Sequence, residues 1–537
     1  MAEAKRQNYL HGAAIMTAGV IVVKILGAVF KIPLGSMALL GDEGFSNFTS
    51  AYNIYTLFLT FSTAGFPVAL SRMISEADTL GRKTEVQRTF RVALLFLSVL
   101  GGVGCAAMML FPDALAYRLG DVQAMQGIFV LGPATLMVCV LSVYRGYCQG
   151  HGNMTPTTVS QILEVAVKVP VGLFLAWYLV RVGQGLPIAS AGAIFGVLAG
   201  SAAALFYIIR YTRKNYDMNE TGGESRSSGE IFRDLLRIGI PITLGGCVIA
   251  VINLVDNAQI LNRLQNAAGC TASEARVLFG IYGKTQNVYM LPSYFMTPFQ
   301  ASVVPAIASC VALKKSREAS DIAESALRTA TVVILPMCVG ISVMAYPIIN
   351  VLWPGSNAAG PGILRLLGVA AFFVCMTMLT NALLQSTGHE RLPMLSMAVG
   401  GTVKIILNHV LIGNKAVNIR GAAISAIVCF GVMTAMNYLF LSRCLSRRPR
   451  LSRFLFRPLA SSLTMGVGAW GVYGLAEKLL GRGAELSRVP MLLAMGAAIA
   501  CAVVIYVVMA VVTRAVTAED LKLMPKGEKL AALLHLR

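Results

Sequence analysis

Residues 17–35 read TAGVIVVKILGAVFKIPLG, an apolar run with two lysines inside it, Lys24 and Lys31. About 20 apolar residues cross a bilayer as a helix, so the run is long enough to span. It has no small-residue cleavage site and reads as a true span rather than a signal peptide. Lipid forces backbone polar groups to pair within the segment, which makes the fold class all-α. An ionised side chain at mid-bilayer costs about 2.5–3.5 kcal/mol and therefore faces a wet cavity or a partner. Lys168, Lys284 and Lys404 interrupt later apolar runs in the same way. With fewer acids than cations at such positions, the pattern points to a cavity made for something anionic.

Composition agrees with the opening run. The chain is 56% hydrophobic and 13% charged over 537 residues, with mean hydropathy +0.69, which describes a polytopic membrane protein. Its net charge of +20 sits mostly in short loops between spans, the mark of topology rather than of a nucleic-acid face. The 11 cysteines are scattered without a C-x-x-C pair, so neither a zinc site nor a disulfide framework is expected.

Apolar windows recur about fourteen times. Alternate loops are basic, at Arg82–Lys83–Arg88–Arg91, Arg210–Arg213–Lys214, Lys314–Lys315–Arg317 and Arg443 through Arg457. The intervening loops carry acids such as Asp42, Glu43, Asp113 and Asp121. The positive-inside bias and an even span count place both termini in the cytoplasm. The expected organisation is an N-lobe of six spans over 1–214, a flexible linker over 215–232 and a C-lobe of six spans over 233–445. Spans thirteen and fourteen follow over 446–514, and a cytoplasmic tail covers 515–537.

The two six-span lobes read as a duplication with pseudo-symmetry. YCQGHGNMTP (Tyr147–Pro156) and LLQSTGHERLP (Leu383–Pro393) align, and Gln149/Gln385, Gly152/Gly388 and Lys168/Lys404 share one constant offset. Repeats six spans apart keep the same orientation, as in transporters with parallel repeats. Spans thirteen and fourteen lie outside the repeat.

The intramembrane polar residues invite specific readings. Lys24 and Lys31 are seven residues apart, nearly on one helix face. Lys24 suits the cavity, whereas Lys31 fits either the cavity or snorkelling to the headgroups. Asp256 in VINLVDNAQI and Lys284 in FGIYGKTQNVYMLP lie at comparable depth on adjacent spans, which allows an ion pair that is either structural or released by substrate. Glu164 and Lys168 stand at i and i+4 and read as a self-neutralised pair. The repeat position matching Glu164 holds Gly400, so Lys404 lacks that acid. His151 and His389 read as loop residues. Pro67, Pro170, Pro292, Pro298, Pro305 and Pro336 mark kinks. No H-E-x-x-H, P-loop or G-x-S-x-G occurs, so neither catalysis, a cofactor nor ATP bound to this chain is indicated.

KILGAVFKIPLG (24–35), GDEGFSNFTSAYNIY (41–55), AGFPVALSRMISE (64–76) and the fourteen-span order together carry a resemblance covering about Asn8 to Val512. The chain resembles the polysaccharide-transporter and stage V sporulation protein B group of the multidrug/oligosaccharidyl-lipid/polysaccharide (MOP) exporter superfamily, close to the MurJ-type lipid II flippases. The resemblance implies a cationic cavity for the pyrophosphate and sugars of a polyprenyl-linked precursor. It places Lys24 and Lys284 where MurJ-type proteins carry arginines, and Lys31 one residue out of register with a further family cation. It also implies a lipid-tail groove formed with spans thirteen and fourteen. The basic residue that MurJ-type proteins carry in span two is missing from NIYTLFLTFSTAG (53–65), and lysine grips phosphate without the arginine fork.

The reading that follows is a non-enzymatic flippase in the bacterial cytoplasmic membrane. It would move a polyprenyl-pyrophosphate-linked saccharide, lipid II or a related cell-wall precursor, to the outer leaflet by alternating access. Lys24, Lys31, Lys284, Asp256, Lys168, Lys404 and Glu164 would form the cationic site. Its partners would be the anionic glycolipid, membrane lipids and cell-wall synthesis proteins, with no nucleic acid and no metal. The alternative is a cation-coupled multidrug exporter of the same superfamily, which would need a deep acid where span one offers lysines.

Overall fold

The computed structural model describes residues 9–36, 39–217, 222–223, 225–356, 359–450, 455–481 and 487–513. The cytoplasmic tail expected at 515–537 lies outside the described residues, as do 218–221 and 224 of the expected linker.

The chain divides into two compact units, Met1–Gly283 and Lys284–Arg537. The first contains α1 (Tyr9–Leu34), α2 (Gly41–Ala64), α3 (Phe66–Thr79), α4 (Lys83–Leu110), α5 (Pro112–Leu119), α6 (Met125–Gly150), α7 (Thr155–Arg181), α8 (Leu186–Asn215), α9 (Ser228–Asn266) and most of α10 (Ala272–Tyr289). The second contains the rest of α10, then α11 (Leu291–Ala312), α12 (Ser316–Val343), α13 (Ala345–Leu352), α14 (Gly360–Ser386), α15 (Arg391–Ile412), α16 (Arg420–Cys444), α17 (Arg457–Gly481) and α18 (Arg488–Val512). Among the described residues there is no strand.

Ten helical stretches among the described residues are long and apolar enough to cross a membrane, α2 and α3 counting as one. Local sequence explains many boundaries. Proline occupies the first turn of α3, α5, α7, α8, α11 and α14, where its missing N–H has no intrahelical partner to lose. The expected kinks divide into two kinds. Pro67 and Pro292 follow breaks at Gly65 and Met290, whereas Pro170 and Pro336 sit inside continuous helices.

Secondary structure repeats between the halves. α4, α5, a 3-10 turn at Val122–Ala124, α6, α7 and α8 recur in the same order as α12, α13, a 3-10 turn at Pro354–Ser356, α14, α15 and α16. The aligned glycines share one conformation, with φ 73° at Gly152 and 83° at Gly388. Each N–H bonds back to the aligned glutamine carbonyl, Gln149 at 2.9 Å and Gln385 at 3.0 Å. A left-handed residue closes a helix C-terminus in this way, and only glycine enters that region without a Cβ penalty.

Two of the buried clusters among the described residues of the first unit position its helices. Phe30, Phe45, Phe48, Tyr55, Leu131 and Ile194 join α1, α2, α6 and α8 in one. Phe66, Leu70, Phe90, Tyr147 and Leu235 join α3, α4, α6 and α9 in the other. In the second unit, Met465 and Ala469 of α17 pack with Ala494, Ala498 and Ala502 of α18. Small residues let these two helices approach closely, which replaces the hydrophobic drive that lipid does not provide.

The linker departs from its expected flexibility. Arg226 bridges the buried Glu85 of α4 and Asp234 of α9, both at 2.7 Å. Its carbonyl accepts from Arg88 Nη1 at 2.7 Å. Ser227 then opens α9 with a capping box closed by Glu230. A Gly/Ser-rich sequence predicts mobility, but Arg226 facing a desolvated carboxylate, with Gly222 bonded to Thr84 and the Asp217 carbonyl to Gln87, holds the described part of the strap on α4.

Candidate functional site

The polar centre of the first unit forms where α1, α2 and α7 meet. Lys168, from the middle of α7, places Nζ 4.7 Å from the ring centre of Tyr52 and 5.0 Å from that of Phe30. It also donates to Tyr52 Oη at 3.4 Å. Lys31 reaches the same Tyr52 ring at 6.0 Å, and it lies within electrostatic reach of Lys168 and Lys24. Lys31 therefore turns toward aromatic side chains of its own unit. Lys24 is exposed on the surface of α1.

The aromatic platform is itself ordered. Tyr52 stacks on Phe48 at 5.5 Å and contacts Tyr55 at 5.6 Å, while Phe30 meets Phe48 edge-on at 5.8 Å. A cation over such a face gains about 0.5–2 kcal/mol according to its desolvation. The rings thus hold lysine ammonium groups in place without neutralising their charge.

Glu164 corrects the expected i, i+4 pair with Lys168. Its carboxylate is taken by Arg145 of α6, with Nη2 to Oε2 at 2.8 Å, and Arg145 Nε donates to Ser160 at 2.9 Å. The arginine wins because its planar fork serves α7 at two points, Ser160 and Glu164, from a neighbouring helix. Lys168 is left with ring faces and a phenol as partners.

Asp256 and Lys284 belong to different units, and each has partners within its own. Asp256 is buried and accepts from Tyr282 Oη at 3.5 Å. Lys284 is fully buried and donates to Ser356 Oγ at 3.4 Å. Lys404 is buried on α15 one turn before Asn408, which accepts a short hydrogen bond from Ser425 of α16. A further buried network in the second unit joins Asn437 to Asn381 at 2.6 Å and to Thr380 at 3.1 Å.

Three residues that shape the first site were not singled out in the sequence. Tyr52 and Phe30 look like ordinary apolar-face aromatics. Arg145, in LSVYRGYCQG, is a charged residue inside an apolar run and was detectable by the same rule that picks out the lysines.

Comparison with known proteins fits this architecture. The chain matches the family described as polysaccharide biosynthesis protein over residues 9–311. It is 27% identical over 539 residues to the uncharacterized membrane protein YabM of Bacillus subtilis (strain 168), covering 99% of this chain and 98% of that one. It is 26% identical over 452 residues to the lipid II flippase MurJ of the same organism, covering 80% and 82%. Stage V sporulation protein B of that organism is 25% identical over 448 residues, covering 82% and 85%. Among solved structures, the lipid II flippase MurJ in an inward closed conformation superposes with TM-score 0.67 at 14% identity, over 93% of this chain and 98% of that one. An inward-facing multidrug resistance MATE family transporter of the MOP superfamily gives 0.66 at 16% identity, over 80% and 98%. An all-helical, multi-pass membrane protein with the fold shared by these transporters, the chain belongs to the polysaccharide biosynthesis protein family.

Proposed function

We propose that this protein is a flippase for a polyprenyl-pyrophosphate-linked saccharide, lipid II or a related cell-wall precursor, working by alternating access in the bacterial cytoplasmic membrane. The observation that carries the reading is the convergence of Lys31 and Lys168 on Tyr52, with Glu164 occupied by Arg145. Intramembrane cations held on ring faces suit a polyanionic headgroup that must bind and leave. Lys24, Lys284 and Lys404 extend the cationic set. Asp256 is the acid that competes with substrate for a cation. The similarity to MurJ and stage V sporulation protein B, over four-fifths of the chain, supports the same substrate class. In this reading the polyprenyl tail stays in lipid, both termini are cytoplasmic, and the chain performs no covalent chemistry. Cell-wall synthesis proteins are its candidate partners.

Native mass spectrometry of the purified protein tests the proposal, with lipid II, undecaprenyl phosphate and a cationic dye in competition. The expected result is preferential lipid II binding that Lys31→Ala/Lys168→Ala removes. Dye binding indifferent to the lysines would favour the multidrug-exporter reading instead.

A further inference from the structure

Another cation stands near the start of a spanning helix of the second unit, outside the cluster described above. Arg365 sits five residues into α14, roughly 8 Å along its axis, in a helix long and apolar enough to cross a membrane. Its side chain is exposed. Its carbonyl accepts from Ser342 Oγ at 3.0 Å, yet among the described residues the guanidinium has no ion-pair or hydrogen-bond partner. An exposed arginine near the end of a spanning helix, with no protein partner, is free to pair with a headgroup phosphate at the interface.

The surroundings show what would fit. Arg365 lies at the edge of a groove of about 450 Å³ between α12 and α17. The floor is formed by Val339 and Val343 against Gly466, where a Cβ would come within 2.8 Å of Val339. The rim is a stripe of Leu463, Val467 and Trp470 on α17, each more than half exposed. The groove is thus apolar along its length with one cation to receive a headgroup. None of its lining residues is acidic, so no carboxylate there would pair with the ammonium of a choline or ethanolamine headgroup.

We propose that this groove binds an anionic bilayer phospholipid, with its phosphate on Arg365 and the upper part of an acyl chain against Val339, Val343 and Gly466. The guanidinium fork matches two phosphate oxygens. A basic position between transmembrane helices is a recognised mode of anionic-lipid capture. The bound lipid bridges α14 and α17, and so ties the C-terminal helix pair to the repeat helices of the same unit. The site is separate from the Lys31–Lys168 cluster and does not rest on the flippase reading.

The test uses the full-length protein delipidated in detergent, with palmitoyl-oleoyl phosphatidylglycerol and phosphatidylcholine added in competition and read by native mass spectrometry. Wild type is expected to prefer phosphatidylglycerol by about tenfold. Arg365→Gln should abolish the preference, Arg365→Lys should keep part of it, and Val467→Trp should reduce lipid retention by filling the groove while leaving the charge. Should Arg365→Gln fail to fold, the Arg365→Lys and Val467→Trp variants decide. An unchanged preference in Arg365→Gln, or unchanged lipid retention in Val467→Trp, overturns the proposal. Displacement of phosphatidylglycerol from this site by undecaprenyl phosphate also overturns it and reassigns the groove to the polyprenyl substrate.

Discussion

Arg145 reaches from α6 to α7 and holds Glu164 at 2.8 Å, taking the acid that stands one turn before Lys168. The pair is mostly removed from solvent, with side-chain exposures of 8% and 18%. Removing one partner of such a pair strands the other charge, at a cost of about 3 kcal/mol. Arg145→Ala should therefore lower the unfolding temperature in detergent clearly, whereas Arg145→Met/Glu164→Leu should lose much less than the sum of the single changes. Additive losses would show that the two side chains act independently.

Tyr52 serves both lysines through its ring more than through its hydroxyl. The Lys168 hydrogen bond to its oxygen is long at 3.4 Å, whereas the ring faces Lys168 at 4.7 Å and Lys31 at 6.0 Å. Tyr52→Leu should weaken lipid II binding about tenfold, and Tyr52→Phe should change it by less than about twofold. Competition native mass spectrometry separates the two, and equal losses in both variants would assign the effect to the hydroxyl.

Asp121, in the connection between α5 and α6, is fully buried. Burial pushes its carboxyl up to about 6, against the opposing hydrogen bonds from Ser50 at 2.9 Å and Ser46 at 3.4 Å. A raised carboxyl pKa means that the folded state binds the proton more tightly than the unfolded one. Stability from this group should fall as pH rises from about 4 to 6 and stay low above that, with a full effect of roughly 3 kcal/mol. Thermal unfolding of wild type against Asp121→Asn between pH 4 and 8 measures this. The variant should be the more stable protein at pH 7 and should lose the slope between pH 4 and 6.

Arg226 pins the strap between α8 and α9 through Glu85, which is 2% exposed. Arg226→Ala leaves that buried carboxylate with only the longer contact to Arg82 at 3.6 Å and loosens the strap on α4. Limited proteolysis should then cut within 215–230 several-fold faster, with cleavage elsewhere unchanged. An unaltered cleavage rate would mean that Arg88 and the α9 capping box hold the strap without Arg226.

Part of this architecture is readable residue by residue along the chain. The run 17–35 announces lipid and helix through length and hydropathy alone. The lysines announce a wet or aromatic interior because lipid excludes them. Gly152 and Gly388 announce a repeated helix end, since the left-handed turn they form is local in sequence. Tyr52 and Arg145 are different in kind. Lys168 and Tyr52 are 116 residues apart and Arg145 and Glu164 are 19 apart, so no local period connects them.

By itself the sequence determined that the chain is a helical membrane protein, where most of its helices run and that its intramembrane charge is cationic. Hydropathy and charge solvation depend on residue type alone, so they survive without coordinates. Only the tertiary structure decided which acid meets which base, because Glu164 can face either its own helix or α6. That choice depends on the reach and planarity of Arg145 across a helix contact. The same dependence on neighbours put Lys31 and Lys168 on one tyrosine ring and left Arg365 exposed beside α17.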